Sequence, residues 1–314
     1  MKNYYRIIIQ VFITVLAFWG LWILNDIEKV THLLINSNFS YFLCAVIVVF
    51  FQLVLSTLRW RVFTSFYRLN FNLRELYRGV FLSFLVGHIT PSSLFGEVAR
   101  FQYLKTKENL TNLIKSILLE RLSGQVVLLI WVLFLTPITA FYFIEEQSHL
   151  WMVLVVALLG ISLVLLTYFL SKKPFINYFW VQKVKNFLED VFRGLISQEN
   201  KTHFLYSLIS LLLMVLQFYF SALALNVSVS FLSLMLFFPY VLLILSVPIS
   251  FGGWGVRELS SAFILLPLIQ SVESITAVSF VYGISFVVAL IPGLIYLLFN
   301  SCSNAFKVRS RCRG

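Results

Sequence analysis

The 314-residue chain is 60% hydrophobic and only 12% charged, with 33 phenylalanines and a formal net charge of +11. Soluble domains run at about 45–50% apolar and about 25% charged, so a water-soluble fold of this length is excluded. No basic face with exposed aromatics stands apart from the apolar runs, which excludes nucleic acid as the partner behind the cation excess.

Lys2 and Arg6 precede an apolar run from Ile7 to Leu24 with no small-residue cleavage site after it. That pattern predicts an uncleaved first span, not a signal peptide. Five more runs, at about 41–58, 122–143, 150–170, 204–225 and 275–299, approach the ~20 residues a helix needs to cross a hydrocarbon core. Basic residues collect on the cytoplasmic side of such spans. The N-terminus, loop 59–78, stretch 100–121, loop 171–203 and the tail together hold 22 of the 24 lysines and arginines. Both termini are therefore expected on the cytoplasmic side of a cell membrane. The opposite loops are short and carry Asp26, Glu28, Glu145, Glu146 and Glu273.

Two apolar stretches fit this scheme only if they enter and leave on one side. Residues 79–99 lie between basic loops and residues 231–270 between the opposite ones, and each is broken near its middle by Pro, Gly and Ser. Both read as re-entrant hairpins of two half-helices, which lipid tolerates where the irregular backbone is buried or lines a cavity; the alternative, with longer half-helices, is eight or more full spans. Between the halves, 179–196 sets Trp180, Val184, Phe187, Leu188, Val191 and Leu195 on one helical face. It reads as an amphipathic helix on the cytoplasmic interface or as a linker helix packed under the bundle. Cys44, Cys302 and Cys312 have neither metal-ligand nor disulfide spacing.

The two breaks share the pattern P-x-S-x-x-G-x-x-x-R, from Pro91 to Arg100 and from Pro248 to Arg257, each matched pair 157 positions apart. The same offset carries the span at 122–143 onto 275–299 and roughly 41–58 onto 204–225. Each half then reads span, span, hairpin, span. Three crossings is odd, so the second half must be inverted, the plan many transporters use around a midplane site. The expected fold is all-α integral membrane, one domain over 1–314. It holds six transmembrane helices and two re-entrant broken-helix hairpins as an inverted repeat, over about 1–147 and 148–300, with a basic tail at 301–314.

Ionisable groups at membrane depth mark candidate sites: His88, Glu97, Arg100, Glu120, Arg121, Arg257 and Glu258. No Ser–His–Asp set, metal-binding His pair or phosphate loop accompanies them, so no catalytic residue, metal or cofactor is assigned. Half-helices starting after Pro91 and Pro248 aim free amides at the bilayer middle, an anion site that Ser93 or Ser250 is suited to cap. Gly96, Gly252, Gly253 and Gly255 permit close approach of a ligand or the opposing hairpin. Arg100 falls toward the cytoplasmic mouth and Arg257 toward the outer one. The two arginines either capture a lipid phosphate in turn or pair with Glu97, Glu120 or Glu258 and hold the hairpins. His88 is expected to hydrogen-bond the broken helix end, with a proton relay as the other role.

At these positions the chain resembles the lysylphosphatidylglycerol synthase transmembrane-region family, also called flippase-like domain proteins. The likeness rests on P-x-x-x-x-G-E-x-x-R at Pro91–Arg100, on Glu120-Arg121-Leu122, and on P-x-S-x-G-G-x-G-x-R-E at Pro248–Glu258. It implies movement of a phospholipid or lipid-linked anionic headgroup between leaflets, with a separate lipid-modifying enzyme as a possible partner. It also implies that Gly96, Glu97, Arg100, Glu120, Arg121, Gly252, Gly253, Gly255, Arg257 and Glu258 bind substrate. Phe251 stands where the family has Pro before the double glycine, and Gly283 follows Tyr282 where the last span often has Arg. No aminoacyl-transferase domain follows the last predicted span, so lysyl transfer by this polypeptide is not expected. Two alternatives stay open: a membrane-embedded transferase acting on a lipid-linked donor, with Glu97 or Glu120 as base, and a carrier for a soluble organic anion.

Overall fold

A computed structural model describes residues 25–90, 93–105, 109–142, 201–247 and 252–311, with short pieces at 15–16, 19–21, 23, 189, 193–195 and 197. Among the described residues the elements are helical: α1 (Ile27–Ile35), α2 (Phe39–Phe66), α3 (Leu73–Ile89), α4 (Ser93–Leu104), α5 (Leu110–Tyr142), α6 (Thr202–Ala224), α7 (Phe231–Leu245), α8 (Val256–Ile269) and α9 (Val272–Arg311). The expected span at 150–170, most of that at 7–24, and most of the amphipathic segment 179–196 lie outside the described residues.

Among the described residues, four helices are long and apolar enough to cross a membrane: Phe39–Phe66, Leu110–Thr139, Thr202–Ala224 and Val272–Ile295. Their outward faces carry large apolar side chains with no protein cover, Phe39 at 71% exposed and Phe134 at 73%. Water would not tolerate such a surface, and lipid does. The chain is a multi-pass membrane protein. These helices outrun the apolar runs that announced them. α2 begins at its Asn38 cap, whose side chain accepts from the Ser40 amide at 3.0 Å, and continues to Phe66. α5 begins at Leu110, so Glu120 and Arg121 lie well inside a helix instead of opening one. Hydropathy dips where one face turns polar, although the helix goes on.

This corrects the loop assignment of the basic residues. Arg59 lies inside α2 with its side chain 13% exposed, and Arg100 lies in α4 and is buried. Neither is a loop cation.

The helices run in the order long, short, short, long (α2–α5) and again long, short, short, long (α6–α9). The short ones, at 17, 12, 15 and 14 residues, are about 18–26 Å long at ~1.5 Å per residue. None matches the ~30 Å of a hydrocarbon core. Within each half the two short helices pack on each other. In the first pair, Gly79 stands beside Arg100 while Gly96 meets the backbone of Ser83, so the two run antiparallel.

Among α2–α9, the packing partnerships of the first four helices recur among the second four. α2 meets α5 as α6 meets α9; α2 meets α9 as α6 meets α5; α3 meets α9 as α7 meets α5. The longest seam joins the corresponding helices α2 and α6. Asn38 N–H donates to the Ala224 carbonyl at 2.6 Å, Gln52 Nε2 to Gln217 Oε1 at 3.0 Å, and Arg59 Nη1 to Ser207 Oγ at 3.4 Å. Rising numbers on one helix meet falling numbers on the other, so the two are antiparallel. Gln217 also donates to the Tyr282 carbonyl and Ser285 Oγ, both at 3.0 Å, tying α9 to the same seam.

Candidate functional site: a cavity where two helix breaks meet

The first break follows α3, whose last turn ends at Thr90 with the Thr90 N–H on the Val86 carbonyl. The second runs from the end of α7 to the start of α8. There Gly252, Gly253 and Gly255 all take positive φ (57°, 83° and 80°), a region that side chains with a Cβ avoid. The helix expected directly after Pro248 therefore starts later, at Val256. The two breaks touch. A Cβ on Gly252 would lie 2.6 Å from the His88 carbonyl oxygen, so only glycine lets the breaks close to this distance.

Beside this contact lies a cavity of about 380 Å³ lined by residues from α2 to α9. Of the expected site residues, Glu97, Arg100, Glu120, Arg121, Gly252, Gly253 and Arg257 line it. Gly96 does not; it seats α4 against α3, where a Cβ would collide with the Ser83 carbonyl. Gly255 and Glu258 sit behind Arg257. Ser93 opens α4, and Ser250 lies outside the described residues.

Two charged clusters flank the cavity. In the first, Glu120 is the hub. Its Oε1 accepts from Ser56 Oγ at 3.1 Å, Arg59 Nε at 3.0 Å and Arg59 Nη2. Its Oε2 accepts from Arg100 Nη1 and Nη2, each at 3.2 Å. Arg100 Nη2 also pairs with Glu97, and its guanidinium lies 4.3 Å from the Trp60 ring centre. Gly79 makes room for that stack: a Cβ there would stand 3.1 Å from the Trp60 ring.

The second cluster repeats the theme with different partners. Arg257 donates to Glu258 Oε1 through Nη2 at 2.6 Å and Nε at 3.0 Å, and to Ser279 Oγ at 3.3 Å. It stacks 4.5 Å from Trp254. Glu258 Oε2 accepts from the Gly255 N–H at 2.6 Å. The expected free anion site at the α8 N-terminus is thus already occupied by a carboxylate from its own first turn. Gly283 of α9 faces the Arg257 guanidinium so closely that a Cβ would overlap it. The position after Tyr282, where the resembled family often has arginine, instead gives its space to Arg257.

Arg100 and Arg257 are buried, at 1% and 3% exposed, and line one cavity rather than standing free at opposite mouths. Both are paired with carboxylates, the holding role named as their second possibility. The cavity still has capacity for a ligand. Arg59, Arg100, Arg121 and Arg257 all line it. Ser210 Oγ, on the cavity wall, and Arg100 Nε are buried with no hydrogen-bond partner. His88 makes the expected bond to its helix end, Nδ1–H donating to the Phe84 carbonyl at 2.9 Å, and stacks on Phe286 at 4.2 Å.

Ser56, Arg59, Trp60, Ser207 and Tyr282 belong to the site although sequence reasoning passed over them. Arg59 had a signal: it directly follows the apolar run 41–58 and stands about two turns before the end of a helix that reaches Phe66.

The arrangement defines a helical multi-pass membrane protein with an arginine-rich cavity beside the contact of two helix breaks. Its sequence matches the family model of the lysylphosphatidylglycerol synthase TM region over residues 7–293, nearly the whole chain, and the protein belongs to that family. No curated protein matches it.

Proposed function

We propose that this protein moves an anionic phospholipid or lipid-linked headgroup between leaflets through the central cavity, without catalysing a covalent step. The observation that carries the reading is the meeting of the two helix breaks beside a cavity lined by four arginines. A polar, arginine-lined hollow among lipid-facing helices suits a phosphate taken from one leaflet and returned to the other. Family membership supports lipid handling. The short helix pairs read as re-entrant hairpins of an inverted repeat, in a frame of six spans with both termini cytoplasmic; the antiparallel α2–α6 seam and the matched partnerships of the halves support this. A separate enzyme would make any modified lipid carried.

A transferase with Glu120 as base is less well supported, because five donated hydrogen bonds occupy its two oxygens. The test is exchange of labelled lipids between leaflets of liposomes holding the purified protein. Protein-dependent exchange that falls at least tenfold in Arg100→Ala and Arg257→Ala is the expected result. Normal exchange by folded Arg100→Lys and Arg257→Lys would show that the guanidinium fork is not used. Absence of exchange with any anionic or prenyl-phosphate lipid would turn the assignment to the transferase or the soluble-anion carrier.

A further inference from the structure

Arg100 and Arg257 both line the cavity, but they differ in how fully their donors are used. Arg257 gives its Nε–Nη2 edge to Glu258, with Nη2 at 2.6 Å and Nε at 3.0 Å from Oε1. Arg100 gives its other edge to Glu120, with Nη1 and Nη2 each 3.2 Å from Oε2. The Nε–Nη2 edge of Arg100 is only half used. Its Nη2 also pairs with Glu97, while its Nε is buried with no hydrogen-bond partner. A guanidinium edge of this kind grips two oxygens of a phosphate in a fork.

The two carboxylates on Arg100 are unequal. Glu120 accepts five hydrogen bonds, and its side chain is 6% exposed. Glu97 lines the cavity with its side chain 23% exposed, and among the described residues it accepts from Arg100 alone. Arg100 itself is buried, so an anion entering from the cavity reaches its open edge by taking the place of Glu97. Two negative groups against one guanidinium edge repel each other, and a proton on the displaced carboxylate relieves that repulsion.

We infer that Glu97 couples anion binding at Arg100 to the uptake of a proton. The phosphate takes the Nε–Nη2 edge, and the displaced Glu97 carboxylate takes a proton from water and turns to the cavity as a neutral acid. When the phosphate leaves, Glu97 returns the proton to water and goes back to Arg100. Passage of a headgroup is thereby linked to a proton, a step that rests on the lipid-transfer reading above. Besides Arg100 on its own helix, the titratable groups that share the cavity with Glu97 are His88 of α3, Arg59 of α2, Glu120 and Arg121 of α5, Arg257 of α8 and Tyr282 of α9. Glu120 is already filled by its donors, which leaves His88 as the competing site for the proton.

The experiment titrates the purified full chain with short-chain phosphatidylglycerol by calorimetry, from about pH 5 to about pH 8. Repeating it in buffers of different ionisation enthalpy counts the protons taken up on binding. Wild type is expected to lose up to about tenfold in affinity per pH unit as pH rises, with up to about one proton entering per lipid. Glu97→Gln should bind at every pH as tightly as wild type does at the acid end, with no proton uptake. Glu97→Asp should restore the slope. A merely structural role for Glu97 would change the affinity without flattening its pH dependence. A flat wild-type profile overturns the coupling, and so does a slope that survives in Glu97→Gln, which would assign the proton to His88. Proton-linked binding without leaflet exchange in liposomes would sink the lipid-transfer reading and leave the coupling intact. Glycerophosphoglycerol, the same headgroup without acyl chains, is titrated alongside. Failure of both compounds to bind at any pH overturns the coupling and the lipid-transfer reading together.

Discussion

At the scale of single residues, Glu120 carries the greatest structural weight. It is buried beneath Arg59 and Arg100, so Glu120→Gln leaves two guanidiniums facing a neutral amide at the cavity wall. Breaking a buried pair from one side costs about 3–5 kcal/mol, and a large fall in melting temperature in detergent is expected. The double variant Arg100→Gln/Glu120→Gln removes one charge of each sign and should recover part of that loss. A double variant as unstable as the sum of its singles would mean the two are not coupled. Gly283 gives a second case. Gly283→Ala adds only a methyl, but it drives into the Arg257 guanidinium. It should displace Arg257 from Glu258 and reduce lipid exchange nearly as far as Arg257→Ala does. Intact exchange by Gly283→Ala would show that Arg257 has room elsewhere or is not needed.

Among the elements, the helix breaks matter more than the helices. Gly252 and Gly253 are neighbours with positive φ, but their surroundings differ. A Cβ on Gly252 meets the His88 carbonyl at 2.6 Å, whereas one on Gly253 meets the Leu245 side chain at 3.5 Å, an ordinary contact. Gly253→Ala should cost only the backbone penalty, about 1–2 kcal/mol. Gly252→Ala must also push the two breaks apart, and should lower both stability and exchange further. Equal effects in thermal unfolding would mean that the contact between breaks is not rigid. The presence of both breaks was legible in the sequence, because Pro, Ser and Gly interrupt otherwise continuous apolar runs at Pro91 and Pro248. Their contact was not legible. Nothing local to His88 or Gly252 announces a partner more than 160 positions away. The true start of α8 was hidden as well, since three glycines in positive φ delay the helix past the point where Pro248 suggested it.

For the whole molecule, hydropathy made the long helices legible but misjudged their ends, and so misplaced Arg59 and Arg100 in loops. A window average cannot distinguish a loop cation from one that turns inward along a helix; only packing decides that. The 157-residue offset was a better guide, because it links breaks and long helices at once, and the order of helices in the two halves follows it. If the second half is inverted and each short pair is re-entrant, the loops have fixed sides. In a background without Cys44, Cys302 and Cys312, Asn70→Cys and Lys105→Cys flank α3–α4 and should react with a membrane-impermeant maleimide from the cytoplasmic face. Ser228→Cys and Gln270→Cys flank α7–α8 and should react only from the other. All four native positions are exposed, so burial does not confound the readout. Labelling of 70 and 105 from opposite faces would mean that α3 and α4 together cross the bilayer. Labelling of 70 and 228 from one face would remove the inversion, and with it the symmetry by which a single cavity is offered in turn to both leaflets.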